Sequence, residues 1–396
     1  MKSFARRTDW QLQPNELARR LSARRAAGLP LLDLTESNPT RCRLAYPEAQ
    51  IRAALNSPAL LRYSPDPRGL AAARQSIAAS YYGAKGEEVK PEQLLLTAST
   101  SEAYAYLFRL LAEPGDELLV PRPGYPLFDF LAQICDLKPV SYALAATRGW
   151  RIERSSLLAG LGERTRAILA VSPNNPTGSF LASADRDFLL ALCAERGLAL
   201  IVDEVFADYS LDERIEPPCW PAEPPTLLFR LNGLSKTLGL PQLKLSWIYA
   251  SGPPELLQAA LGRLEIIADT FLSVNTPVQL ALPRLLELRL PIQGSIRERL
   301  RSNLAKLKEL AGRSGPAPWR LLPVQGGWYA VLRLPPGRDE EELVLGLLDD
   351  EGVYIYPGYF FDFSQEPLLV LSLLTPPDRF AAGLGRLTGY LRRAGL

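Results

Sequence analysis

The residues that could carry out chemistry lie in three short segments of the chain. They are Asn-Asn-Pro-Thr-Gly at 174–178, the acidic pair Asp203-Glu204, and Ser235-Lys236 within a run of small and turn-forming residues. Because the sequence contains no histidine, any chemistry must use lysine, carboxylate or hydroxyl groups, or a cofactor. This excludes Ser-His-Asp and Cys-His nucleophilic schemes and the usual imidazole metal sites. Considered singly, each segment also has a plain structural explanation: a β-turn, a solvated strand end and an exposed loop lysine.

Each of these segments follows a short apolar run that the fold must place. Ala167–Val171 precedes the Asn-Asn-Pro-Thr-Gly segment, Ala199–Val202 precedes Asp203, and Leu227–Phe229 precedes the segment of Lys236. Short apolar runs alternating with helical patterns indicate a mainly parallel sheet covered on both faces. Ligands bind such sheets outside the carboxyl ends of the strands. The candidate residues therefore fall where a site is expected.

The pattern changes after about residue 285, where a long charged helix is followed by three strand-like segments and a last helix. This predicts a second α+β domain, completed by the N-terminal stretch. We therefore expect three parts: an N-terminal segment joining the small domain (1–44), a large domain (45–285) and a small C-terminal domain (286–396).

The composition is that of an ordinary globular protein of 396 residues, 47% hydrophobic and 22% charged. Its net charge of +2 gives no electrostatic signature of nucleic acid or an anionic membrane as a partner. The four cysteines lie far apart and predict neither a metal site nor a disulfide framework. Because signal-peptide and membrane-span patterns are also lacking, we expect a cytoplasmic protein.

Taken together, the three segments resemble the class I/II aminotransferase family of pyridoxal 5′-phosphate (PLP) enzymes of fold type I. Further family motifs run in order through nearly the whole chain: Tyr63-Ser64-Pro65, Arg68-Gly69, Thr97–Ala103, Pro114-Gly115-Asp116, Pro123–Pro126, Gly326–Tyr329 and Pro357-Gly358. The resemblance implies a large domain with a mainly parallel, seven-stranded sheet flanked by helices, plus a smaller α+β domain. It also implies an enzyme that moves an amino group between an amino donor and a 2-oxo acid.

The resemblance implies a role for four residues around the cofactor ring. Lys236 would hold PLP as a Schiff base and, once released, would shuttle a proton between the substrate and the cofactor. Asp203 would keep the pyridine nitrogen protonated, which makes the ring an electron sink. Asn175 would donate a hydrogen bond to the phenolate oxygen, and Tyr125 would stack on the ring face.

The cofactor phosphate would be bound by Thr100 and Ser101, at a helix start where free N–H groups favour an anion, with a hydroxyl from Ser235. The family's phosphate arginine is replaced by Lys244, which keeps the charge but loses the bidentate fork. Tyr63 would reach the phosphate of the neighbouring subunit. This implies a homodimer with shared active sites.

The sequence departs from the family at two further positions. Phe206 replaces a tyrosine that would bond to the phenolate oxygen, so the pKa of the Schiff base should be less depressed. Val370 replaces the arginine that clamps the substrate's α-carboxylate. The second change leaves open another reaction type on the same fold (a lyase, decarboxylase or cyclase). A non-catalytic binding protein of this fold is disfavoured, because Lys236, Asp203 and Asn175 are all present.

Two explanations of Val370 remain open at the level of sequence. The substrate lacks an α-carboxylate and meets an apolar wall, or a cation from another segment binds the carboxylate. Arg41 and Arg43 are the candidate cations, because they follow Asn38 in a loop that passes over the substrate in the family. The plain alternative is that both arginines are solvated loop residues.

Overall fold

The computed structural model of the chain describes residues 4–215, 218–312, 318–337, 339–363 and 367–395. Within these ranges, none of the helices combines the length and the apolar character needed to cross a membrane.

Fourteen strands are formed in the described part of the chain. In order they are β1 (Leu32–Asp33), β2 (Leu94–Thr97), β3 (Glu117–Arg122), β4 (Lys138–Ala145), β5 (Arg151–Ile152), β6 (Thr165–Val171), β7 (Ala199–Asp203), β8 (Leu228–Gly233), β9 (Ser246–Ser251), β10 (Arg320–Leu321), β11 (Tyr329–Arg333), β12 (Val353–Tyr354), β13 (Tyr356–Pro357) and β14 (Leu368–Ser372). The α-helices of the same part are α1 (Glu16–Ala26), α2 (Glu48–Leu55), α3 (Ala71–Ser76), α4 (Thr100–Leu111), α5 (Leu127–Ile134), α6 (Arg154–Ala159), α7 (Ser183–Arg196), α8 (Leu234–Thr237), α9 (Pro254–Phe271), α10 (Thr276–Glu287), α11 (Arg289–Gly312), α12 (Glu340–Glu351) and α13 (Pro377–Arg393).

The large sheet has the strand order β2-β9-β8-β7-β6-β3-β4-β5. Five adjacent strands of this row run parallel to one another: β8, β7, β6, β3 and β4. Strand β9 is antiparallel to both of its neighbours, β8 and β2. The mainly parallel sheet is confirmed, and its seven longer strands match the predicted number. An eighth strand, β5, extends the row as a two-residue antiparallel edge strand on β4. Its two residues are too few to show a period-2 pattern in the sequence.

The central strands are buried on both faces, which explains their continuous apolar sequences. One face, with Leu169, Ile201 and Phe229, packs in a core that includes residues of α4 and α9. The opposite face, with Ile168 and Leu200, packs against α7.

The C-terminal part forms an antiparallel sheet of order β10-β11-β14-β13. The N-terminal stretch joins this part, because β1 pairs in parallel with β12 through Leu32 and Val353. Residues of α1, α11, α12 and α13 share one apolar core on this side of the molecule. The pairing agrees with the expected role of the first 44 residues, and the domain boundaries themselves stay a prediction.

A close backbone approach connects the two sheets beside the carboxyl ends of the large-sheet strands. Gly326, just before β11, donates its N–H to the carbonyl of Gly178 at 2.9 Å. A Cβ atom on Gly178 would lie 2.4 Å from the carbonyl oxygen of Gly326, and Gly178 has φ +70°. Both the space and the backbone conformation therefore require glycine at 178.

Candidate active site

The structure gathers the predicted ring-binding residues at the carboxyl edge of the large sheet. Asp203 is the last residue of β7, Asn175 lies just after β6, and Tyr125 lies just after β3. Lys236 lies in α8, the single turn of helix that follows β8. Because these strands are parallel, their carboxyl ends meet at one edge, as the sequence predicted.

Asp203 is held in place by two hydrogen bonds. Its side chain accepts the hydroxyl of Tyr104 at 2.7 Å and the backbone N–H of Val205 at 3.0 Å. Asp203 is 7% exposed, and this burial raises the pKa of its carboxyl, while the two donors and Lys236 act in the opposite direction. A carboxylate buried in this way stabilises a cationic or hydrogen-bonding partner strongly.

The amine of Lys236 lies in an aromatic, largely buried environment. Its Nζ atom is 5.6 Å from the ring centroid of Phe206 and 5.4 Å from that of Trp328. Burial lowers the pKa of this amine from its ordinary value, and the charge of Asp203 opposes that shift. A lysine with a lowered pKa supplies more neutral amine, which is the form that attacks carbonyl groups and accepts protons.

The turn that carries Lys236 is fixed by buried hydrogen bonds. The hydroxyl of Tyr209 donates to the backbone carbonyl of Lys236 at 2.5 Å. The hydroxyl of Thr237 donates to Asn232 Oδ1 at 2.9 Å, and Gln293 Nε2 donates to the carbonyl of Thr237 at 3.0 Å. The carbonyl of Lys236 and the following residue, Thr237, are therefore anchored to the core of the protein.

Two of the buried polar atoms without a hydrogen-bond partner in the described part of the chain lie in this region. They are Asn175 Oδ1 and Trp328 Nε1. Native proteins rarely leave buried polar atoms unsatisfied, so such atoms indicate a missing ligand. The amide of Asn175, the carboxylate of Asp203 and the amine of Lys236 together supply donors and an anionic acceptor that fit the polar atoms of a pyridoxal ring.

The predicted phosphate residues lie around the start of α4. Ser99 caps this helix by accepting the N–H of Glu102 at 3.1 Å, while Thr100 and Ser101 are half-buried in its first turn. The first N–H groups of a helix have no intrahelical partner and attract anions. Ser235 is half-buried in α8, and Lys244 is exposed with φ +53°.

The remaining predicted residues are not drawn into this cluster. Tyr63 is 81% exposed and lines a small pocket of about 50 Å³. Arg43 forms an ion pair with Asp378 at 3.2 Å, and Arg41 is exposed at the end of a short 3-10 turn. The side chain of Asn38 accepts hydrogen bonds from Thr40 (backbone N–H 3.1 Å, hydroxyl 2.7 Å), which caps the same turn.

Val370 is fully buried in β14, within an apolar cluster that includes Trp150 and Phe361. Phe206 is also buried, and its ring lies edge-on to that of Trp328 at 5.4 Å. Both departures from the family pattern therefore lie in well-packed apolar surroundings.

Sequence reasoning did not identify Tyr104, Tyr209 or Gln293 as residues that support the site. Tyr104 and Gln293 lie in helices and Tyr209 lies in the loop after β7, so nothing in the sequence distinguishes them from ordinary core or surface side chains. Asn232 was also missed, although an amide within a buried strand is a signal because it needs a buried partner.

Comparison with known proteins agrees with this arrangement. The chain is 27% identical over 378 residues to an alanine aminotransferase of Mycobacterium tuberculosis, covering 92% of this chain and 86% of the relative. It is 26% identical over 375 residues to a glutamate–pyruvate aminotransferase of Escherichia coli, covering 92% and 91%. A solved alanine aminotransferase from Pyrococcus furiosus superposes with a TM-score of 0.85 at 22% identity, covering 96% of both chains. Residues 30–376 match the family model described as aminotransferase class I and II, and the chain therefore belongs to the class I and II aminotransferases.

Proposed function

We propose that this aminotransferase uses PLP bound to Lys236 to exchange amino groups between an amino acid and a 2-oxo acid. The observation that carries the proposal is the position of the half-buried Lys236 and the buried Asp203 at the carboxyl edge of the sheet, where the charge of Asp203 acts on the lysine amine. PLP, when bound, supplies an electron sink for the negative charge that develops at the substrate Cα. The other reaction types that Val370 left open gain no support from the relatives, which are named as aminotransferases.

The protein residues around the ring have distinct tasks. Lys236 would hold the cofactor through its amine and, when free, would accept the proton that leaves the substrate Cα. Asp203 keeps a proton on the ring nitrogen, because its negative charge lies in a buried site. Tyr104 and the N–H of Val205 hold the Asp203 carboxylate in one orientation. The amide N–H of Asn175 is assigned to the phenolate oxygen, and a 180° rotation of the amide places its NH₂ group where the buried, partnerless Oδ1 atom lies.

The phosphate is assigned to the start of α4, where Thr100 and Ser101 present backbone N–H and hydroxyl donors. Ser235 adds a hydroxyl, and Lys244 adds a positive charge. This set is electrically complementary to a dianionic phosphate.

We further propose a homodimer in which Tyr63 serves the phosphate of the partner subunit. Tyr63 is too exposed for a buried role within its own chain. Three other large apolar side chains are also exposed. Leu61 lies two residues before Tyr63, Ile266 lies in α9, and Leu272 directly follows α9. Tyr63 and Leu272 line the same small pocket, so these two exposed side chains are neighbours. Exposed apolar surface of this kind favours a protein–protein contact.

Pyruvate is the 2-oxo acid to test first, because the Escherichia coli relative and an arginine–pyruvate transaminase of Pseudomonas aeruginosa carry it in their names. The test is to incubate the PLP-loaded protein with pyruvate and a panel of amino acids, and to follow both alanine and the new 2-oxo acid. Equal amounts of the two products support the proposal, and Lys236→Ala serves as the inactive control. Release of ammonia or CO₂ instead, or no product with any donor, would contradict it.

A further inference from the structure

One face of the small sheet places two tyrosines beside Val370. In the register of β11, β14 and β13, Tyr356 is paired directly with Val370, and Tyr329 is paired with Ser372. Side chains alternate along a strand, so these residues share one face of the sheet. Tyr329 and Tyr356 pack against the apolar cluster that contains Val370. The position from which the family arginine would reach the substrate is thus flanked by phenol groups.

This face of the small sheet meets the large domain next to the reactive lysine. The rings of Tyr329 and Phe206 are 6.4 Å apart, and Phe206 lies 5.6 Å from Lys236 Nζ. Burial raises the pKa of Tyr125, and the nearby Asp203 carboxylate and the Tyr356 phenol add to that shift. Tyr329 interacts electrostatically with both Tyr356 and Tyr125, so the three phenols lie near one another.

Both phenols stay protonated and remain able to donate hydrogen bonds. Burial raises the pKa of Tyr329 and of Tyr356. A hydrogen bond with Ser37 acts against this shift at Tyr329, and a hydrogen bond with Thr35 acts against it at Tyr356. The N-terminal stretch that contains Ser37 and Thr35 thus lies along the two phenols. A protonated phenol offers one O–H donor, and a carboxylate accepts several hydrogen bonds.

Three arginines that could bind a carboxylate here are either paired with carboxylates or exposed. Arg43 pairs with Asp378, and Arg41 is exposed. Arg122, at the end of β3, forms ion pairs with Asp129 at 2.5 Å and Asp362 at 2.9 Å. Two carboxylates offset the charge of Arg122, although its Nη1 atom is buried without a hydrogen bond within the described residues. Arg122 is therefore the main rival donor.

We propose that the phenol hydroxyls of Tyr329 and Tyr356 bind the substrate's α-carboxylate in place of the family arginine. The proposal rests on the aminotransferase function given above and assigns carboxylated substrates to it. Two phenols supply the same number of donors as the fork of a guanidinium, but they supply no charge. This site should therefore bind carboxylates by hydrogen bonds alone.

The test uses the PLP-loaded protein with butyrate, a carboxylate without an amino group, and with butyramide, its neutral counterpart. Binding is measured by ligand-detected NMR titration, which needs no turnover. Tyr329→Phe and Tyr356→Phe should each raise the Kd of butyrate about tenfold or more, because each loses a hydrogen bond to a charged group. The Kd of butyramide should change less. Tyr249→Phe is the control, because Tyr249 lies in β9 of the large sheet, where its ring packs against that of Tyr82.

The variants also separate this proposal from its rivals. Unchanged butyrate binding in both tyrosine variants overturns it, as does selective loss of binding in Arg122→Gln, Arg41→Ala or Arg43→Ala. Equal binding of butyrate and butyramide by the wild-type protein also overturns it, since that result indicates an apolar wall. Failure of amino transfer contradicts the proposed function instead, and Lys236→Ala should still bind butyrate.

Discussion

Replacing Asp203 by asparagine removes a charge while keeping the shape of the side chain. The carboxylate accepts hydrogen bonds from Tyr104 at 2.7 Å and from the N–H of Val205 at 3.0 Å. In Asp203→Asn the amide oxygen can still accept from Val205. The amide nitrogen can donate to the Tyr104 hydroxyl, which accepts as well as donates. We therefore expect the fold and cofactor binding to survive, and only the anionic partner of the ring nitrogen to be lost.

A hydrogen bond to a charged group contributes about 1.5–3 kcal/mol, which corresponds to about a 10- to 150-fold loss of rate. The assay is a stopped-flow measurement of the amino-acid half-reaction at saturating donor, followed by the absorbance of the cofactor. Tyr104→Phe is the control, because it keeps the charge of Asp203 and loses one neutral donor, so its rate should fall less. An Asp203→Asn protein that reacts at the wild-type rate would refute the role given to this carboxylate.

The other predictions concern the lysine, its supporting turn and the dimer. Because burial lowers the pKa of Lys236 and Asp203 opposes this, Lys236 of the PLP-free protein should react with an amine reagent at lower pH than an ordinary lysine. Asp203→Asn should move that pH profile lower still, and an unmoved profile contradicts the coupling. Thr237→Val removes the hydrogen bond to Asn232 and should lower the free energy of unfolding by about 1–2 kcal/mol in denaturant titrations. Thr237→Ser keeps the hydroxyl and should not lower it. Equal losses in both variants argue against a contribution from this hydrogen bond. Tyr63→Phe should raise the Kd of PLP without changing the circular dichroism spectrum, and a fully active monomer at low concentration excludes the shared site.

Much of the fold could be predicted because burial on both faces leaves a strong mark on the sequence. The apolar runs 167–171 and 199–202 became β6 and β7, and the long charged helix expected over about 292–310 became α11 (Arg289–Gly312). The candidate site followed from the same logic, since polar residues directly after such strands must lie at one edge of the sheet. The segments of Asn175, Asp203 and Lys236 were located in this way, and the resemblance to the family assigned their roles.

The contacts that orient these residues could not be predicted, because they join positions far apart in the chain. Tyr104 lies 99 residues before Asp203 and looks like a core aromatic of α4. Gln293 reaches Thr237 across 56 residues from a helix whose sequence shows only charge and apolar spacing. The tyrosines beside Val370 depend on strand register, which single-sequence patterns do not specify for strands of two to five residues.

The most direct test of the central claim is to reduce the PLP-loaded protein with borohydride and map the labelled peptide. We predict one pyridoxyl group on Lys236, the lysine that lies in α8 with a lowered pKa. A label on a different lysine, or none on protein that has been reconstituted with PLP, would contradict the account.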